Sequence, residues 1–238
     1  MKTFLKKILN LNENENQRKQ WLKQTLSKIS AGKKILDVGA GELKNKNFCL
    51  HLNYVSQDLC EYNGLGNKLG AHTDTWDTSK IDIVSDIINI PEPNASYDVI
   101  LCSEVLEHIP DPLKALDELH RLLKIGGVLI ITAPFSSNVH FAPQFHATGF
   151  SQYWYEYHLP KRNMKILELV PNGDWFSLHK QFAQSFPMMA MRNKDWCWIF
   201  AFIISFLSLI YHIIRNKNIK NTEQNACLGF HSVSKKLE

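Results

Sequence analysis

The stretch Lys34 to Glu42, KILDVGAGE, sets a carboxylate inside an apolar run and puts two glycines directly after it. Ile35, Leu36 and Val38 read as a short buried strand. Gly39 and Gly41, with Ala40 between them, make a turn whose missing side chains let backbone approach a ligand. Burying Asp37 there is costly without hydrogen-bond or charge partners, so it reads as a ligand contact or as a cap on the turn. A second acid, Asp58, closes the stretch NYVSQDL about twenty residues beyond the glycines, where α/β nucleoside sites hold both ribose hydroxyls in a carboxylate fork. A third, Asp86, closes DIVSDI and is placed to accept from an adenine amino group; its plain alternative is a surface turn aspartate. A dinucleotide G-x-G-x-x-G fingerprint needs a third glycine where this chain has Lys44, which argues against a nicotinamide cofactor.

The elements that must position these acids alternate regularly. After the glycine turn, Leu43 to Leu52 offers a short helical segment and Asn53 to Leu59 a second strand. Asp82 to Ile87 makes a third strand, followed by the turn residues Pro91, Glu92, Pro93 and Asn94. Tyr97 to Cys102 is a continuous apolar run of the kind buried on both faces of a parallel sheet. Asp111 and Pro112 open a helix with the stripe Leu113, Leu116, Leu119, Leu122 and Leu123. Gly126 and Gly127 are expected to end it and lead into a fifth strand, Val128 to Ala133. Upstream, Trp21, Leu22, Leu26 and Ile29 form a helical stripe that stops at Gly32. Strands alternating with helices specify a doubly wound sheet that binds ligands at the carboxyl ends of its strands, and each acid falls at that edge.

Taken in order, these segments resemble class I S-adenosylmethionine-dependent methyltransferases of the small-molecule type. The resemblance runs from about Lys33 to Pro134 through ILDVGAGE, Asp58, the SDI that holds Asp86, YDVILCSEVLEHIPDP and LLKIGGVLIITAP. The segment Pro134 to Leu159, with HFAP, TGFS and YWYEYHL, is also similar to a subgroup of bacterial methyltransferases, and ILELVPNGDWFS resembles that subgroup's sixth strand. Ala226 to Lys235 resembles the last strand, which must insert between strands five and six. The resemblance implies a Rossmann-like, seven-stranded, mostly parallel α/β sheet with an apolar helical insertion before the last strand. It implies S-adenosyl-L-methionine as cofactor, with Asp37, Gly39, Ala40 and Gly41 around the methionine part. Asp58 and Leu59 then hold the ribose, Asp86 and Ile87 frame the adenine, and Ser103 and Glu104 lie beside the sulfonium. Two positions depart from the pattern: Leu43 replaces a frequent glycine, and Ile125 replaces a frequent proline. Neither removes a charged or hydrogen-bonding contact.

Methyl transfer from a sulfonium needs mainly alignment, because the leaving group is already activated. A hydroxyl acceptor must also lose its proton, which a histidine near the mouth can accept. His140 and His146, in the loop after strand five, are the favoured pair, with His108 after strand four and His158 as further candidates. His108 reads equally well as a packing or capping residue. Phe145, Phe150, Tyr153, Trp154, Tyr155 and Tyr157 are placed either to stack on a ring or sugar acceptor or to pack a lid helix on the sheet.

The balance of 27 basic and 23 acidic side chains is too mild for a nucleic-acid partner. Five scattered cysteines suggest neither a disulfide framework nor a zinc site, no metal ligand set stands out, and a cytoplasmic setting fits. Phe4, Leu5, Ile8 and Leu9 form one side of an uncleaved amphipathic helix that packs on the domain or, as the less favoured reading, lies on a membrane. Trp196 to Ile214 carries no charged side chain and as a helix would span about 28 Å. A single crossing would strand the last strand on the wrong side. The segment 196–214 therefore reads as a helix in the membrane interface with Trp196, Trp198 and Tyr211 as anchors, or as a helix buried against a second subunit in a homodimer.

The organisation expected is one methyltransferase domain over 1–238: N-terminal helices 1–32, cofactor core and acceptor loop 33–186, apolar insertion 187–221 and last strand 222–238. The function expected is methyl transfer to oxygen, ahead of nitrogen or carbon, on a small or lipid-linked acceptor, in the cytoplasm or peripherally at the inner face of the cytoplasmic membrane. The competing reading is a non-catalytic, membrane-associated protein that binds S-adenosylmethionine.

Overall fold

The computed structural model describes residues 12–67, 70–72, 75–214 and 222–238. The Phe4 to Leu9 stripe lies outside the described residues. The described residues pack as two compact units, one of Arg18–Val170 with Gly229–Glu238, the other of Pro171–Leu228 with residues 12–17.

In the larger unit, β1 (Lys34–Val38) pairs in parallel with β2 (Asn53–Asp58) and with β4 (Tyr97–Ser103), while β2 pairs with β3 (Ile83–Val84) and β4 with β5 (Leu123–Pro134). The last strand, β7 (Gly229–Lys236), runs antiparallel to β5 and separates it from β6 (Met164–Asn172), giving the order β3-β2-β1-β4-β5-β7-β6. The insertion expected for the last strand is thus present. β1 and β4 are buried apolar runs because helices cover both faces of a doubly wound sheet. On one face, Leu22 and Leu26 of α1 (Glu13–Ser27) pack on Ile35, Val99, Leu101 and Ile130. The helix α2 (Pro112–Leu122) starts as expected, with the Asp111 carboxylate accepting from the Lys114 amide at 3.1 Å and Pro112 in the first turn.

Three boundaries differ from the sequence reading. The helical segment between β1 and β2 shrinks to a single 3₁₀ turn, Lys46–Phe48, after Leu43 takes a left-handed φ of 59° that interrupts helix. The third strand spans only Ile83–Val84, paired with Gln57 and Asp58; one residue earlier on β2 the Ser56 amide donates to the Asp82 carboxylate at 2.9 Å instead of to a strand carbonyl. β5 begins at Leu123, so Gly126 and Gly127 sit inside the strand rather than ending the helix. There they absorb a register slip, Tyr97 pairing with Leu123 while Val99 pairs with Val128.

In the smaller unit, α4 (Trp175–Arg192) and α5 (Trp198–Ile214) pack against each other, separated from the larger unit's α3 (Gln152–His158) by β6 in the chain. The Asp174 carboxylate caps α4 by accepting from the Ser177 amide at 2.8 Å. Among the described residues, no helix is long and apolar enough to cross a membrane.

Candidate active site

The glycine turn leaves β1 at the carboxyl edge of the sheet with both glycines in left-handed backbone, φ 61° at Gly39 and 51° at Gly41. A Cβ on Gly39 would lie 2.5 Å from a Val105 methyl, and one on Gly41 would lie 3.0 Å from the Trp76 ring. Only glycine permits both the conformation and the closeness. Asp58, the last residue of β2, ties the turn down: one carboxylate oxygen accepts from the Gly41 amide at 2.9 Å and the other from the Cys60 amide at 2.8 Å. Each oxygen keeps a further lone pair for a ligand hydroxyl.

Asp37 is 1% exposed, and its partner is the Tyr54 hydroxyl, which donates to it at 2.7 Å. Burial raises the Asp37 carboxyl to about 7, the nearby Asp58 charge adds to the rise, and hydrogen bonds from Tyr54 and Asn45 oppose it. Burial likewise pushes the neighbouring Tyr54 hydroxyl and the Cys49 and Cys102 thiols upward, with the Asp37 charge contributing to each. The native state therefore holds a proton on Asp37 that the unfolded chain releases near an ordinary carboxylate value of about 4. Stability from this group falls as pH rises from about 4 to about 7, by up to roughly 4 kcal/mol. Urea unfolding of wild type and Asp37→Asn at pH 4.5 and 7.5 is expected to show the variant gaining a few kcal/mol relative to wild type at the higher pH. A difference independent of pH would mean that Asp37 is ionised throughout.

The remaining expected cofactor residues are dispersed along the same edge. Leu59 is exposed and Ile87 buried. Asp86 lies two residues past β3 in a turn of its own, where its carboxylate accepts from the Ile88 amide at 3.1 Å. Ser103 ends β4 with its hydroxyl 2.8 Å from that of Thr132. Glu104 accepts from the Thr132 hydroxyl at 3.0 Å and pairs with Arg18 at 2.9 Å.

The histidines sort differently from their order of preference in the sequence. His108, on the 3₁₀ turn Leu106–His108, and His140 stand ring to ring at 4.8 Å. The His146 side chain is exposed, while its backbone amide donates to the Glu107 carbonyl at 2.8 Å. His108 Nδ1 faces the Gln144 carbonyl at 2.5 Å, and burial lowers its pKa to about 4. His158 packs against Trp154 and Tyr157.

The aromatic run splits. Phe150 and Tyr155 are buried, whereas Tyr153 and Tyr157 are exposed. A second aromatic group, which periodicity does not reveal, forms beside the histidines: Phe141 lies 4.7 Å from Tyr62, 5.3 Å from Trp76 and 5.4 Å from His108. It exists because the loop after β2 folds onto the loop after β5. The Ala71 amide donates to the Val139 carbonyl and the Phe141 amide to the Ala71 carbonyl, at 3.0 and 2.9 Å. The available sequence signal was the pairing of Gly66 and Gly70 with a Trp and a Tyr in an otherwise unassigned segment.

A family model described as a methyltransferase domain matches residues 12–200. A ubiquinone biosynthesis O-methyltransferase from Leptothrix cholodnii is 30% identical over 118 residues, 48% of this chain and 49% of that protein. The chain thus spans about half the length of the curated relatives it matches. Among solved structures, an S-adenosylmethionine-dependent methyltransferase from Archaeoglobus fulgidus is similar with a TM-score of 0.56 and 13% identity, over 92% of each chain. Phosphoethanolamine N-methyltransferase 2 from Haemonchus contortus, solved with S-adenosyl-L-methionine, is similar with a TM-score of 0.53 and 13% identity, over 93% of this chain and 52% of that one. Likeness at that identity concerns the fold.

Proposed function

The chain belongs to the methyltransferase-domain family, with S-adenosyl-L-methionine as its cofactor, and we propose that it methylates an oxygen of a small or lipid-linked acceptor. The observation that carries this reading is the Asp58 carboxylate locked onto the glycine turn at the sheet edge with a lone pair free on each oxygen. That pair of acceptor oxygens fits a ribose diol, whose hydroxyls donate. When bound, the cofactor supplies a methyl already activated on a sulfonium.

The chain's own residues then have to bind, align and take up a proton. Asp58 and Leu59 hold the ribose, and Asp86 with Ile87 frames the adenine. Gly39, Ala40 and Gly41 give the methionine part room. Asp37 faces its ammonium, whose charge offsets the burial that keeps this carboxyl protonated. Ser103 and Glu104 border the reacting end. A histidine of the loop after β5, His140 or His146, accepts the acceptor proton. Oxygen is preferred because curated relatives such as those from Leptothrix cholodnii and Marinobacter nauticus are named O-methyltransferases.

A lipid-linked acceptor is supported by α5. Phe200, Phe202, Ile204, Phe206 and Leu207 are each more than half exposed, and the only buried positions are Ala201 and Ser205. An uncharged helix with this surface suits a lipid interface on the cytoplasmic face, with Trp198 and Tyr211 at headgroup level. We treat the α4–α5 pair as an insertion within one methyltransferase domain. Co-sedimentation with anionic phospholipid vesicles is expected to retain the wild type. The double variant Phe206→Glu, Leu207→Glu should lose at least about tenfold in vesicle affinity, since each side chain contributes roughly 1.5–3 kcal/mol when buried. A wild type that stays off vesicles and forms a dimer would assign α5 to a second subunit.

The acceptor is tested by incubating the protein with methyl-labelled cofactor and separate lipid and water-soluble extracts of membranes. Alkali-stable label in the organic phase is the expected result. Label confined to water-soluble products would remove the lipid-linked acceptor. Absence of label from both, with cofactor bound, would support the non-catalytic reading.

A further inference from the structure

We propose that Glu107, His108 and His140 form a binding site for one divalent transition cation of the zinc, manganese or iron class. One ligand atom from each of the three residues lies within 4.8 Å of the others, and a Glu107 oxygen is already 3.7 Å from His108 Nε2. Ligands at about 2.1 Å around a common ion sit roughly 3.4 Å apart, so closing the site takes about 1 Å of movement.

Glu107 is 0% exposed, and neither of its carboxylate oxygens has a hydrogen-bond partner; His108 Nε2 is equally buried and unpartnered. A buried carboxylate left in that condition is unfavourable, and a shared cation satisfies it together with the imidazole. The histidines are also set in the right tautomer. His108 Nδ1 faces the Gln144 carbonyl at 2.5 Å and His140 Nδ1 faces the Asn138 carbonyl at 2.9 Å. A carbonyl only accepts, so each Nδ1 carries the proton and each Nε2 presents a lone pair. Backbone carbonyls of this kind are the usual outer partners of metal-bound histidines. The two loops are held together by the His146 and Ala147 amides, which donate to the Glu107 carbonyl at 2.8 and 3.1 Å. Glu104 stays outside the set because Arg18 and Thr132 engage its oxygens.

Two imidazoles and one carboxylate leave coordination positions open, the pattern of a catalytic rather than a structural site. On the O-methylation reading, on which this use depends, the open position takes the acceptor hydroxyl. The cation lowers the pKa of that hydroxyl, and because His140 is then a ligand with no lone pair left, the proton leaves to water or to His146 rather than to His140; the O–CH₃ bond forms as the S–CH₃ bond breaks.

The test begins with cobalt(II) alone. Chelator-stripped protein is titrated with it and followed by visible d–d absorption, and zinc uptake is measured by equilibrium dialysis. Wild type and His158→Ala are expected to take up one equivalent. Glu107→Gln, which keeps the buried shape, and His140→Ala, on a surface loop, should each bind at least about 100-fold more weakly, beyond the effect of losing an outer partner. Retained S-adenosylhomocysteine affinity and far-UV circular dichroism would show that these variants fold. No stoichiometric uptake by wild type, or equal affinity in both variants, overturns the site. Metal uptake that follows the variants while the loaded enzyme methylates no hydroxyl acceptor would instead overturn the oxygen-transfer reading and leave the cation site standing.

Discussion

Asp58→Ala is expected to weaken S-adenosylhomocysteine binding by at least about 100-fold in calorimetric titration. The carboxylate is proposed to accept both ribose hydroxyls, and a hydrogen bond to a charged group contributes roughly 1.5–3 kcal/mol, so losing two removes about 3–6 kcal/mol. The variant also releases the Gly41 and Cys60 amides that the side chain now holds, which loosens the turn on the cofactor side. Asp58→Asn separates the two effects. It keeps the shape and one acceptor oxygen but loses the charge, and about a tenfold loss is expected. NADH serves as the control and should bind neither protein. If Asp58→Ala binds within threefold of wild type, the ribose sits elsewhere and the cofactor assignments along this edge must be redrawn.

Gly39→Ala is expected to lower thermal stability more than any other single methyl added to the site. At φ 61° an alanine pays about 1–2 kcal/mol of backbone strain. Its Cβ would also sit 2.5 and 2.9 Å from the two methyls of Val105, an overpacking that costs about 1–3 kcal/mol. The sum, roughly 2–5 kcal/mol, corresponds to a fall in Tm of about 5–15 °C for a chain of this size. Combining it with Val105→Ala opens the space but not the backbone, so the double variant should be less unstable than the two effects added together. A Tm within two degrees of wild type, measured by scanning calorimetry with about that precision, would contradict the turn geometry.

Much of the fold is written in local pattern. Apolar runs at Ile35–Val38 and Tyr97–Cys102 became the buried central strands, because a strand covered on both faces has no polar alternation to confuse the reading. The Asp111–Pro112 start of α2 was legible for a similar reason: the cap is a contact between residues three apart. Asp58 was equally readable, since its place depends on where one strand ends. The weaker readings fall where local signals compete. Leu43 is a good helix former held in a left-handed turn, and Gly126–Gly127 look like a helix stop but serve as a bulge in β5.

The sequence by itself therefore determined the sheet, its carboxyl edge and the acids standing there, because strand order and turn chemistry are carried by neighbours along the chain. Only the tertiary structure decided which histidines meet. His108 and His140 are 32 positions apart in the numbering, and the preference for His140 with His146 rested on their sharing a loop. What joins His108 to His140, and Phe141 to Tyr62 and Trp76, is the folding of the loops after β2, β4 and β5 onto one another. Those contacts are held by backbone hydrogen bonds such as Phe141 to Ala71 and His146 to Glu107, which are made by groups common to every residue type and so leave no trace in side-chain periodicity.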